Sequence, residues 1–285
     1  MRIAVTGGSG KLGRAVVAHL AASGNTVVNL DAVGERAYGI VRVDLTDYGQ
    51  TVDALAGVDG QHGGIDALVH LAAIPAPGIL SDVATFHNNM SVTFNVLHAA
   101  RRLGIRNIVA ASSETVLGLP FDTPPPYLPV DEEYAARPES VYSLVKHLEE
   151  QLAVELTRWD PGLKIISLRF SNVMNPEDYE AFPGYNSDPA SRKWNLWGYI
   201  DARDGAQAVE KALALDKSGH DTFIIAAADT VMTIPNDQLV QAAFPDVPVH
   251  GDLGVHESLL SIAKARRVLD FEPRYSWRDA GNIPA

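Results

Sequence analysis

Tyr142 and Lys146 stand four residues apart, which places both on one face of a helical segment. A phenol titrates at about 10 in water and is a poor base at neutral pH. A neighbouring ammonium favours the phenolate, so the pair can serve as a general acid/base. Two hydroxyls, Ser112 and Ser113, follow the apolar run 107–111, and either can hold and polarise a substrate oxygen. A second group of residues, Thr6-Gly7-Gly8-Ser9-Gly10-Lys11-Leu12-Gly13, lies between a strand-like run at 2–6 and a helical pattern that begins at residue 11. It reads as G-x-x-G-x-x-G through Gly7, Gly10 and Gly13, or as G-x-G-x-x-G through Gly8, Gly10 and Gly13. In either register one glycine permits the tight turn, one lets a pyrophosphate reach the backbone, and one lets helix and strand pack closely. The amides of the helix N-terminus then face the anion. Gly7, Gly10, Lys11, Leu12 and Gly13 are therefore the candidate phosphate cradle, although Lys11 and Arg14 are also ordinary residues for an exposed first turn. Asp31 ends the next strand-like run, 18 residues beyond Gly13. An acid there accepts hydrogen bonds from both adenosine ribose hydroxyls and repels a 2′-phosphate. The expected cofactor is thus NAD rather than NADP, and its oxidised nicotinamide would further favour phenolate at Tyr142.

These residues need a frame. Short runs rich in Val and Ile fall at 2–6, 26–31, 39–43, 66–70, 107–111 and 164–168. Near-continuous hydrophobicity suits strands buried on both faces of a parallel sheet. Helical patterns lie between them at 11–22, 47–56, 82–103 and 138–159. In the last, Val141, Leu144, Val145, Leu148, Leu152 and Leu156 recur at helical spacing, with Glu149, Glu150 and Glu155 mostly off that face. Alternating strands and helices predict an α/β fold, a doubly wound parallel (Rossmann) sheet with a small C-terminal substrate-binding cap. Residues 1–170 are the expected NAD-binding domain and 171–285 mainly the cap, with elements at about 200–227 returning to the platform. Within the second part, 171–199 reads mainly as loop, 203–216 as helix, 222–227 as strand, and 236–244 and 256–269 as helices. Thr123-Pro124-Pro125-Pro126 reads as a stiff extended connection.

Composition narrows the function classes. The 285 residues carry 23 Lys plus Arg against 35 Asp plus Glu, a net charge of −12. Such a surface repels phosphate backbones, so no nucleic-acid partner is expected. No cysteine is present, which excludes a disulfide framework, a thiolate nucleophile and Cys-ligated metal. The nine histidines show no H-E-x-x-H spacing, and no metal site is expected. With a strand-like run opening at residue 2 and no apolar run long enough to span a bilayer, no signal peptide or membrane partner is expected and the cytoplasm is the default location.

The motifs resemble those of the extended short-chain dehydrogenases/reductases, specifically the NAD-dependent epimerase/dehydratase family, along nearly the whole chain and most sharply over 1–175. The glycine loop is similar to T-G-x-x-G-x-x-G, which selects the Gly7/Gly10/Gly13 register. The resemblance implies that Asp44 and Leu45 contact adenine. It also implies that Leu71, Ala72 and Ala73, in His70-Leu71-Ala72-Ala73, line the cofactor, and that Asn89 lies beside it. Ser112-Ser113-Glu114-Thr115-Val116-Leu117-Gly118 resembles S-S-x-x-V-[YF]-G, which makes Ser113 the catalytic hydroxyl. Arg169-Phe170-Ser171-Asn172-Val173 resembles R-x-x-N-V, placing Asn172 at the boundary of cofactor and substrate. In the implied mechanism Tyr142 takes a substrate hydroxyl proton as hydride passes to the nicotinamide. Lys146 holds the nicotinamide ribose, and Ser113 positions the substrate oxygen. A homodimer through helices 82–103 and 138–159 is implied as well.

One departure bears on substrate. Nucleotide-sugar members carry an Arg before Y-I-H-V-x-D, whereas Trp197 holds that place in Trp197-Gly198-Tyr199-Ile200-Asp201; Arg192 and Lys193 are the nearby substitutes. The chain is also short, and is similar in length and in its Ser-Ser strand end to uronate dehydrogenases. The expectation is an NAD-dependent dehydrogenase acting on a secondary or anomeric hydroxyl of a small carbohydrate or sugar acid. The alternatives are a nucleotide-sugar epimerase or dehydratase with tightly held, recycled NAD, and a non-catalytic NAD sensor. Tyr179, Phe182, Tyr185, Trp194, Trp197 and Tyr199 either stack on a sugar or form the core of the cap. Glu114 is expected at solvent or on backbone, and otherwise as a second acid/base.

Overall fold

The computed structural model describes residues 1–34, 40–57 and 63–282. Its strands are β1 (Arg2–Thr6), β2 (Thr26–Asp31), β3 (Ile40–Arg42), β4 (Ala67–His70), β5 (Asn107–Ser113), β6 (Lys164–Phe170), β7 (Val173–Met174), β8 (Ile200–Asp201) and β9 (Gly219–Ile225). Gly39, the first residue of the expected third run, lies outside the described residues. Seven strands form one parallel sheet in the order β3-β2-β1-β4-β5-β6-β9, and β7 pairs with β8 separately. The helices are α1 (Lys11–Ala22), α2 (Tyr48–Ala56), α3 (Asp82–Arg102), α4 (Val141–Trp159), the single turn α5 (Phe182–Tyr185), α6 (Ala202–Ala214), α7 (Asn236–Ala243) and α8 (Ala263–Leu269).

The continuous apolar runs conceal a period of two. Ile3, Val5, Val69, Val109, Ile166 and Leu168 enter one core, while their neighbours Ala4, Leu68, Ile108 and Ile165 enter the other. Helices α1 and α6 pack together, as do α2 with α3 and α3 with α4. With both faces covered, most positions in the central strands are apolar, and polar exceptions such as Ser167 and Arg169 are buried with hydrogen-bond partners. The expected Rossmann sheet is the observed one.

Four local readings change. Strand β9 begins at Gly219 rather than 222 and ends at Ile225. Residues 256–262 are not helical: Leu259 and Leu260 are both fully buried, and Val130 donates to Leu259 O (2.9 Å) while Ser261 donates back to Val130 O (2.8 Å). Two adjacent buried leucines suit an extended segment covered on both sides, so the helix waits until Ala263. The segment 171–199 holds β7 and several short helical turns rather than plain loop. Helix α4 starts at Val141, set by a Ser140/Ser143 capping box, and its face is rotated from the expected one. Glu149 and Glu150 are buried, at 8% and 3% exposure, while Leu144 is 38% exposed.

The rim strand β9 is engaged by side chains. Glu132 Oε1 accepts the Ile224 amide at 2.7 Å, and Lys264 Nζ donates to Thr222 O at 2.8 Å. Among the described residues no helix is long and apolar enough to cross a membrane, and no cluster of potential metal ligands occurs.

Candidate active site

Strand order reverses about β1, whose neighbours β2 and β4 lead the chain in opposite directions. Ligands of open α/β sheets bind beyond the carboxyl ends of the strands at such a point. A cavity of about 1010 Å³ lies there, running from the glycine loop past the ends of β4 and β5 to Asn172 and Trp194.

At one end, α1 begins after Gly10 with no side chain capping its first amides. Those N–H groups are left for an anion. A Cβ on Gly13 would stand 2.2 Å from Gly7 O, and one on Gly7, where φ is +71°, would stand 2.7 Å from the Ala72 amide. Gly8 is equally closed by Asn29, at 2.2 Å, whereas a Cβ on Gly10 would meet only Gly7 O at 3.3 Å. Three glycines thus hold the turn together, and Gly10 keeps the cavity side clear. Asp31 lies on the wall, its carboxylate accepting the Ser9 amide (2.9 Å) and the Val33 amide (3.2 Å). Asp44, Leu45, Leu71, Ala72 and Ala73 line the same cavity. Thr46 gives both its amide and its hydroxyl to Asp44 Oδ1, holding that carboxyl below its ordinary value. Lys11 and Leu12 also line it, and Lys11 Nζ reaches Asp178 at 2.8 Å. Uncapped amides, a cleared approach and a carboxylate at the strand end fit a dinucleotide.

Asn89 is the exception. It is fully buried, and its side-chain amide is closed onto Ile74, accepting from Ile74 N (2.8 Å) and donating to Ile74 O (3.1 Å). It anchors the loop after β4 instead of lining the cavity, and the wall position belongs to its neighbour Asn88, which the sequence reading missed. One residue along a helix turns a side chain by about 100°, so a motif match without the packing cannot separate the two.

At the other end Ser113, Tyr142 and Lys146 converge. The two serines separate here. Ser112 donates to Glu150 Oε1 at 2.6 Å in the core, while Ser113 Oγ accepts from the Thr115 amide (3.2 Å) and hydroxyl (3.0 Å). With both acceptor sites of Ser113 filled, its own proton remains to donate. Ser113 also hydrogen-bonds Tyr142. Lys146 Nζ lies 6.0 Å from the Tyr142 ring centre and donates to Ala111 O (3.0 Å) and Glu149 Oε2 (2.8 Å). Burial pushes the phenol above its ordinary value and Glu149 and Glu114 add to this, against the opposing pull of Lys146 and Ser113.

Glu114 does not face solvent. It is 3% exposed and accepts from Ser171 Oγ (2.5 Å), Asn195 Nδ2 (3.2 Å) and the Asn172 backbone; burial pushes it up to about 7. On the cavity wall beside Ser113 it joins the end of β5 to Ser171 and Asn195. Asn172 also lines the cavity. Of the aromatic residues, Tyr179, Phe182, Trp197 and Tyr199 are buried in the core cluster that also takes Ile3, Val5 and Ile166 from the sheet, and Trp194 reaches the cavity. Trp197 is 1% exposed and gives its indole N–H to Pro189 O. Arg192 is buried, donates to Gly198 O and lies against Tyr185 and Trp194, so it does not replace the missing Arg at the cavity surface.

Among characterised proteins, the UDP-glucose 4-epimerase of Bacillus subtilis is 28% identical over 211 residues, covering 70% of this chain and 60% of that protein. The chain thus spans about three-fifths of the length of that relative. A crystal structure of UDP-galactose 4-epimerase superposes with TM-score 0.70 at 27% identity, covering 98% of this chain and 96% of the other. The NAD complex of a UDP-glucose 4-epimerase from Brucella ovis, 21% identical, shares the fold with TM-score 0.71 over 98% and 95% of the two chains. These relatives stand closer to the nucleotide-sugar alternative than to a small-sugar dehydrogenase. Residues 3–226 match the NAD dependent epimerase/dehydratase family, and the chain belongs to it.

Proposed function

We propose that the protein carries out NAD-dependent redox chemistry at a sugar hydroxyl, in the manner of a nucleotide-sugar 4-epimerase. The observation that carries this reading is the meeting of Ser113, Tyr142 and Lys146 at the end of a cavity that begins at the glycine loop. Gly10 and the first amides of α1 would hold the pyrophosphate, Asp31 the adenosine ribose, and Lys146 the nicotinamide ribose. Asp31 is the reason for preferring NAD to NADP, since a 2′-phosphate would meet its carboxylate. Bound NAD would supply a reversible hydride acceptor for the substrate carbon. Tyr142 Oη takes the hydroxyl proton as the C–O bond becomes C=O and gives it back on return. Ser113 donates to the same oxygen and holds it in reach of the phenol. The likeness to UDP-sugar 4-epimerases supports retention of NAD within a cycle.

A dehydrogenase acting on an unphosphorylated sugar or sugar acid is the second reading, and one observation favours it. Among the described residues lining the cavity the cations are Lys11 and Lys146, each already paired with a carboxylate, while Asp31, Asp44, Glu114 and Glu139 are acidic. A second diphosphate would find poor compensation there. The substrate part of the site would be formed mainly by residues after 170, with 1–170 as the NAD platform. Helices α3 and α4, with Phe94 45% and Leu144 38% exposed, would form a homodimer contact.

The deciding assay mixes protein and NAD with nucleotide sugars, free aldoses and sugar acids, following NADH absorbance and analysing products. Epimerised nucleotide sugar without net NADH supports the first reading. Stoichiometric NADH from a free sugar replaces it with the second.

A further inference from the structure

Glu149 is a buried carboxylate that the proton transfer above does not use. It lies on α4 three residues past Lys146, and both side chains are almost closed to solvent, at 8% and 5% exposure. One oxygen accepts from Lys146 Nζ at 2.8 Å, and the other accepts from Thr93 Oγ1 at 2.8 Å across the contact of α3 with α4. The chain of contacts continues. Thr93 Oγ1 lies 3.0 Å from His70 Nε2, and His70 Nδ1 lies 2.7 Å from Thr6 Oγ1, which itself accepts the Leu71 and Ala72 amides. The donor count assigns every proton. Thr93 gives its hydrogen to Glu149 and so accepts from His70 Nε2–H, leaving Nδ1 to accept from Thr6. Burial, with Lys146 nearby, lowers His70 to about 3, consistent with that neutral ring. The ammonium beside Tyr142 is thus braced through one hydrogen-bonded line to the strand ends that line the cofactor cavity.

The arrangement has an electrostatic consequence. Lys146 has three N–H groups; Glu149 and the Ala111 carbonyl take two, and one is left for a ligand. The other charged or titratable groups around the pair are already committed. Glu150 is held by Arg169 (2.8 and 2.9 Å) and by Ser112, and Glu114 by Ser171 and Asn195. His220, lowered to about 4 by burial, lies on Ser167. Burial draws the Lys146 ammonium down, yet Glu149, Tyr142 and Glu150 carry it above its ordinary value. The positive charge that a Tyr–Lys pair relies on is therefore opposed from behind by Glu149, which raises the phenol where Lys146 lowers it.

Resting on the acid/base reading of Tyr142, we propose that Glu149 is a positioning residue that fixes the Lys146 ammonium and cancels much of its field at the phenol, so that Tyr142 releases its proton only when the positive nicotinamide is bound.

The test reads Tyr142 directly and needs no substrate. Phenolate absorbance is titrated with and without saturating NAD in the full-length protein, taking Tyr142→Phe as the blank. The same is done for Glu149→Gln, blanked by the double variant. In the wild type, NAD should move the Tyr142 midpoint downward. In Glu149→Gln without NAD the midpoint should already lie lower than wild type by about one pH unit or more, a tenfold change in proton affinity. The further drop on adding NAD should then be smaller. An unmoved midpoint in a folded Glu149→Gln protein overturns the proposal. If that variant does not fold, Glu149→Asp withdraws the carboxylate by one methylene; a smaller downward shift supports the proposal, and no shift overturns it. A wild type without any Tyr142-dependent step would instead overturn the acid/base reading itself, and the proposal with it.

Discussion

Lys11 and Asp178 are 167 residues apart in sequence and 2.8 Å apart in space, joining the first turn of α1 to the short helical turn that follows β7. Both side chains are partly exposed, at 43% and 31%, so the pair contributes only about 0–1 kcal/mol to stability. Its effect should be kinetic. Asp178→Ala is expected to leave the melting temperature nearly unchanged while NADH leaves the protein several-fold faster at low salt, the difference shrinking as salt is added. Stopped-flow fluorescence measures this; identical release rates at low salt would show that the contact is not a latch.

Removing the Tyr142 hydroxyl should separate chemistry from binding. Tyr142→Phe is expected to lower kcat by about 10²–10⁴-fold, the usual range for a lost acid/base group. NAD affinity, followed by calorimetry, should stay close to wild type. Retained turnover would remove Tyr142 from the mechanism.

Asp31 already accepts two protein amides, so its loss would disturb the loop as well as the proposed ribose contact. Asp31→Ala should weaken NAD by about 10–100-fold, the range for a charge-assisted hydrogen bond lost from a cleft, with a much smaller effect on NADP. Parallel titrations with the two cofactors decide it, and equal losses would make Asp31 a turn residue only.

Glu114 gives the fold a pH dependence of defined sign. Burial raises its carboxyl from the ordinary 4.5 to about 7, so the folded protein binds this proton more tightly than the unfolded chain does. The resulting stability is present at acid pH and is lost as pH rises through the interval from 4.5 to about 7, to an extent of order 3 kcal/mol. Denaturant unfolding at about pH 5 and about pH 8 should show a smaller difference in Glu114→Gln than in the wild type. An identical difference would mean that Glu114 does not carry the slope.

The sheet is legible in the sequence because both of its faces are covered, which turns each central strand into an apolar run bounded by polar residues. The glycine loop, Asp31 and the Tyr142–Lys146 spacing are legible because the chain is contiguous there and the chemistry needs those residue types. Glu149 is not. An acid three residues after a lysine reads as a solvated pair on a helix surface, and only the packing of α3 against α4 buries it. Glu114 misleads in the same way, since its partners Ser171 and Asn195 lie 57 and 81 residues away. Asn88 and Asn89 differ only in helical phase. The extended stretch before α8 escapes notice because its partner is Val130, far back in the chain.

The charged groups on the rim of β9 bear on how copies of this protein meet in a crowded solution. A bare outer strand offers a row of amides and carbonyls on which any extended segment can add, and repeated addition leads to aggregates. Here the Ile224 amide is taken by a carboxylate and the Thr222 carbonyl by an ammonium. A foreign strand docking at that rim would have to displace both, taking the half-buried Glu132 off its amide and leaving Lys264 to Asp221 alone. Growth of the sheet from this side is therefore opposed by side chains already seated on the strand.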